Sequence, residues 1–288
     1  MRNMIREILV LIRASLAGFA LMAWEPVYAQ TASQAMPQEY QEVLAIVDRL
    51  ASANNLGDNE LAFTIVAGDY AEWKAMELGL CKDDQCSYFG SLNPFVQHRG
   101  EIKEIIRQAY LYGDISGSAH SNGTIELPRV AFRLYGSRRD YLSCTIAHEI
   151  AHARDAHLFE QTAAYSSASI NMSEDQKTLL DYSLNREFEL IADQKSWEMM
   201  TRAGYPLDTC VHGLTFMHKS AGDGRETEPD FTHPGVKERT EKLSAYIEDH
   251  KDNLTAEAAT KGRWVYEPDL NLLRFIPEPA NRPPSGGG

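Results

Sequence analysis

His148-Glu149-Ile150-Ala151-His152 is the stretch on which both the fold and the chemistry turn. Histidines four residues apart share one face of an α-helix, so both imidazoles reach the same cation. Glu149 follows the first histidine directly, where its carboxylate reaches a water held by that cation. The pattern points to Zn2+, one per chain, acidifying a water whose proton the Glu removes. A long helix also produces it by chance, with two histidines on an exposed face.

Catalytic zinc takes three protein ligands and keeps one position open, so a third donor is needed. The run Arg186-Glu187-Phe188-Glu189-Leu190-Ile191-Ala192-Asp193 reads as helical, with Glu189 and Asp193 one turn apart on one face. Glu189 is a candidate third ligand, and Asp193 a candidate to hydrogen-bond the outer nitrogen of a ligating histidine. Taken alone, the two carboxylates read more simply as solvated charges.

The surrounding elements are mainly helical. Tyr40, Val43, Leu44, Val47 and Leu50 form an amphipathic stripe. Residues 61–67 are a short apolar run that predicts a buried strand. Residues 71–100 read as irregular and 101–112 as a helix. Residues 117–127 predict a strand broken at Asn122-Gly123. Ser137 and Asp140 resemble a capping box opening the motif helix. A polar separator at 162–173 precedes a helix near 176–200, closed by Gly204-Tyr205-Pro206. Two more helices are expected at 208–220 and 235–250. Trp264 and Tyr266 read as packing residues.

The chain has 288 residues, enough for one large domain, and a formal charge of −13 that argues against a nucleic-acid partner. Arg2, Arg6 and Arg13, an apolar stretch at 14–24 and Val27-Tyr28-Ala29 resemble a signal peptide cleaved after Ala29. The expected organisation is a signal at 1–29, a domain at 30–276 and a disordered Pro/Gly-rich tail at 277–288. An uncleaved anchor is the alternative, and membrane contact is expected only in that case. Four cysteines fit a periplasmic or secreted destination. Cys81 and Cys86 bracket a short polar loop that a disulfide can close, and Cys144 and Cys210 then pair by elimination, although four cysteines allow three connectivities.

Beyond the motif helix, the order of features resembles the HtpX-like and CAAX-prenyl-protease family of gluzincin zinc metalloendopeptidases, which includes BepA-like periplasmic members. The resemblance rests on His148 to His152, then His157, Arg186-x-x-Glu189-x-x-Ala192-Asp193, Ala203-Gly204-Tyr205, His233-Pro234 and Arg239. It covers roughly residues 40–250. It implies an α+β, mainly helical gluzincin-type domain with one small β-sheet next to the catalytic helix. It further implies that His148, His152 and Glu189 bind Zn2+, that Glu149 is the general base, and that Asp193 supports a ligand. His233 would stabilise the oxyanion or regulate access, and Arg239 would lock its segment by an ion pair. The strand before the catalytic helix, represented by Ser118, His120 and Ile125, would receive substrate as an added strand. Ile191 stands where the family pattern has a second Glu, the stretch from His152 to Glu189 is shorter than expected, and the family's Asn-Ala-Phe segment is missing from residues 71–115. Expected partners are polypeptide substrates and envelope proteins. The rival reading is a metal-binding, chaperone-like protein that holds polypeptides without cleaving them.

Overall fold

The stripe at the start of the chain lies on α1 (Gln38–Ala51), where Tyr40, Val43, Val47 and Leu50 are buried and Leu44 packs at the margin. The apolar run at 61–67 forms β1 (Leu61–Val66). This computed structural model describes residues 35–82, 85–221 and 226–279. The expected signal at 1–29 and most of the tail at 277–288 fall outside them. Residues 36–288 group as one unit, which holds every element named here; the other unit, 1–35, is described only at its last residue.

Among the described residues, β1 is the central strand of a five-stranded mixed sheet. Its neighbours are β2 (Ser118–Ala119), β3 (Thr124–Pro128), β4 (Gly262–Glu267) and β5 (Leu272–Pro277), in the order β2-β3-β1-β5-β4. Burial on both faces explains why β1 reads as a continuous apolar run rather than an alternating one. It pairs in parallel with β3, Phe63 opposite Ile125, whereas the other three pairings are antiparallel. The crossover from β1 runs through α2 (Asp69–Glu77), the short α3 (Ser87–Gly90) and α4 (Gly100–Tyr112).

After the sheet's β2–β3 hairpin come α5 (Arg129–Tyr135) and the motif helix α6 (Arg139–Arg154). Residues 142–151 of α6 are buried on every side. Around it pack β2, β3, α1, α5, α8 (Glu174–Arg202) and α9 (Thr209–Ala221). Two further helices, α7 (His157–Ala168) and α10 (Val236–His250), lie against α8. Gly204 ends α8 at φ +74, a conformation that favours glycine. Arg49 on α1 donates to the Ala203 and Gly204 carbonyls there, its guanidinium over the Tyr205 ring. The protein is thus α+β and mainly helical, with its small sheet against the motif helix.

Several expectations need correction. The stretch 71–100 is not irregular throughout: α2 and α3 occupy part of it, but α2 buries only Ala71 and Ala75, too few positions to leave a stripe. Most of the polar separator at 162–173 belongs to α7, which buries only His157. Ser137 does not cap α6; Arg138 precedes it with no side-chain cap, and the capping box instead opens α8, where Ser173 and Gln176 bond reciprocally. Trp264 and Tyr266 do pack, on the unforeseen strand β4, against Phe275 and Tyr40.

Both expected disulfides form, Cys81–Cys86 and Cys144–Cys210, with Cα separations of 5.3 and 5.5 Å. The second ties α6 to α9. No helix among the described residues is long and apolar enough to cross a membrane.

Candidate metal centre

The packing of α8 on α6 brings three donors together. His148 Nε2 and His152 Nε2 stand 3.1 Å apart. Glu189 places Oε2 at 3.2 Å from the first and Oε1 at 3.3 Å from the second. Ligand atoms bound to a small tetrahedral ion at ~2.0–2.1 Å lie about 3.3 Å from one another. The donor set therefore fits a metal ion of that size. The two Nε2 atoms meet beside the carboxylate at a distance that either a proton or a shared metal ion between them explains.

Electrostatics point the same way. Burial opposes charge on His148, but the Glu189 and Asp193 carboxylates outweigh it and raise the imidazole pKa to about 10. Burial likewise opposes charge on Glu189, yet the neighbouring histidines and Arg239 hold its carboxyl well below the usual range. The carboxylates around His148 thus favour positive charge there, which a metal cation can supply in place of a proton.

Behind the donors lies a second layer of contacts. Asp193 Oδ1 is 3.1 Å from His148 Nδ1, at hydrogen-bond distance but off the ring's in-plane N–H direction, so the contact is an ion pair rather than an aligned hydrogen bond. Arg239 grips Asp193 with two hydrogen bonds of 2.8 and 2.7 Å and reaches Glu189 at 3.7 Å. Burial opposes the Asp193 charge, but Arg239 keeps that carboxyl below its ordinary pKa. His157 is the residue whose role sequence reasoning missed. Its Nδ1 sits 3.1 Å from His152 Nδ1, and burial together with the His152 charge lowers its pKa to about 4. A neutral His157 can accept from a His152 Nδ1–H, the tautomer that leaves Nε2 of His152 free for a metal. Its spacing in the motif was the available signal; the left-handed Ala156 (φ 51) that starts α7 and turns the ring back was not legible. Asp193→Ala or His157→Ala is expected to weaken metal affinity roughly 10–100-fold. Competition against a fluorescent zinc chelator measures this, and unchanged affinity would remove both residues from the ligand support.

Glu149 is buried, and burial pushes its carboxyl above the ordinary pKa, partly offset by His148 and His152. A methyl group on Gly117 would stand 3.1 Å from its Cγ and 3.2 Å from Oε1, so the absent side chain leaves the carboxyl room. His233 places Nε2 at 3.7 Å from Glu189 Oε1, on an exposed loop that Arg186 holds through the Pro229 and Phe231 carbonyls. A cleft of about 1180 Å³ runs past Gly117, Glu149, Glu189 and His233. Ser118 lies on the edge strand β2 and His120 just beyond it, both lining the cleft. Ile125 does not belong to the edge: it sits on the second strand, β3, fully buried, because the break at Asn122-Gly123 makes a hairpin and only its first arm faces outward.

Neither a family model, nor a curated protein, nor a solved structure matches this chain.

Proposed function

We propose that this chain is a zinc-dependent metalloendopeptidase that hydrolyses peptide bonds in unfolded or damaged envelope proteins. The observation that carries the reading is the buried Glu149 carboxyl, which lines the same open cleft as the three-donor metal group. The order of motifs shared with the HtpX-like gluzincins supports it. When bound, zinc supplies a Lewis acid that lowers the pKa of a water and polarises a carbonyl oxygen. Glu149 takes the proton from the attacking water and delivers it to the departing amine, a role its raised pKa suits. His233, on the loop opposite, donates to the developing oxyanion. An extended substrate pairs along β2 and so presents its backbone rather than its sequence. Two disulfides suit a periplasmic or secreted protein.

A chaperone-like binder needs the metal and the cleft but has no use for Glu149. Casein cleavage by the purified mature chain separates the two. Glu149→Gln is expected to slow it roughly 10²–10⁴-fold. Equal cleavage by the two proteins would sink the enzyme reading.

A further inference from the structure

The sheet ends on two edges of unlike kind. One is β2, two residues long and beside the metal cleft. The other is β4, six residues long, and no strand bonds its outer side among the described residues. Six consecutive pairs join β4 to β5 without a bulge, and no proline interrupts it. A long, regular edge of that kind is a template for a further strand. The ladder fixes which groups it offers. Glu278 donates to the Lys261 carbonyl, so Lys261 and every second residue after it bond toward β5. Trp264 and Tyr266 therefore turn their N–H and C=O groups outward. Side chains alternate as well. Trp264 and Tyr266 face Phe63, Phe275 and Tyr40, whereas Arg263, Val265 and Glu267 face the other way, where Arg274 pairs with Glu267. Arg263 is exposed and has no ion pair among the described residues.

The strand Arg263-Trp264-Val265-Tyr266-Glu267 is complementary to itself. Antiparallel pairing of two copies about Val265 sets Trp264 opposite the partner's Tyr266, where both carry outward backbone groups. On the other face it sets Arg263 opposite the partner's Glu267, twice over by symmetry. Just past the strand, exposed Lys261 and Asp269 stand at equal spacing from Val265 and again carry opposite charges. The strip is neutral in a chain of net charge −13. We propose that β4 is a homodimer edge, pairing with β4 of a second copy to join two five-stranded sheets into one. The two β2 edges then lie at the far ends of the joined sheet, so the strand beside each metal cleft stays free. A contact of this size lies at the small end of specific interfaces, and its dissociation constant is expected on the order of micromolar.

Sedimentation velocity of the mature chain should show its mass rising from one chain to two between about 1 and 100 µM. Arg263→Glu sets like charges opposite each other at two places and should weaken the dimer roughly 10- to 100-fold. Glu267→Arg should do the same, with Arg274 keeping its bonds to Glu60. An equimolar mixture of the two variants restores both opposite-charge pairs and should dimerise as the wild type does, which misfolded chains would not. Val265→Cys tests the register. Residues on the two-fold axis lie about 4.5 Å apart and should cross-link under mild oxidation. Arg263→Cys, roughly 13 Å from its symmetry mate, should not. A single chain at every concentration overturns the proposal and leaves the edge to another partner. So does a dimer that Arg263→Glu leaves intact, a variant mixture that stays apart, or a dimer in which Val265→Cys fails to cross-link.

Discussion

Replacing any one of His148, His152 and Glu189 by Ala is expected to take bound metal from stoichiometric to background after dialysis. Each would contribute one of the three donors that meet among the described residues, and two donors hold a small cation too weakly to survive dialysis. The side effects should differ. His148→Ala removes the imidazole that stands between Glu189 and Asp193, so two buried carboxylates then share Arg239. That variant should lose stability as well as metal. Glu189→Ala leaves the Arg239–Asp193 pair intact and should lose metal with little change in folding. Glu149→Gln should keep its metal, because its carboxyl is not among the donors. Atomic emission on the purified variants reads all four. Full occupancy in Glu189→Ala would show that the third ligand lies elsewhere.

Reduction of the Cys144–Cys210 bridge is expected to cost roughly 4 kcal/mol of folding stability, because it closes a loop of 66 residues. The Cys81–Cys86 bridge, spanning five residues, should matter less, about half as much by the same loop-entropy argument. Cys144 lies one helical turn before His148, so opening the bridge loosens the helix that carries two of the donors. Urea denaturation of a Cys144→Ala/Cys210→Ala variant beside a Cys81→Ala/Cys86→Ala variant compares the two. The first should show much the lower midpoint and the weaker metal binding. Equal midpoints would mean that the bridge adds nothing to the packing of α6 against α9.

What the sequence disclosed and what it hid follow from burial. The α1 stripe and the β1 run were legible because each presents its apolar side chains at the period of its own backbone. Helix α6 is enclosed on all sides, so periodicity could not find it, and its metal motif did. Helices α2 and α7 bury one or two small or polar residues each and leave no stripe to read. The β4–β5 hairpin escaped notice because its turn uses Asn271 at φ 53 after a 3-10 turn at Pro268–Leu270, not a glycine pair. In the site, sequence spacing placed His148, Glu149 and His152, which share one turn of one helix. The meeting of Glu189 and Asp193 with them depends on how α8 packs on α6, and there the order of motifs supplied what periodicity lacked. His157 turns back toward His152 only because Ala156 adopts a left-handed backbone, which no composition signal announces.

The central claim is that these residues hold one zinc ion, and anomalous X-ray diffraction at the zinc absorption edge tests it most directly. Crystals of the zinc-loaded protein should give one strong anomalous peak about 2.0–2.2 Å from His148 Nε2, His152 Nε2 and a Glu189 carboxylate oxygen. A peak ligated by other residues, or none at this position, would contradict it.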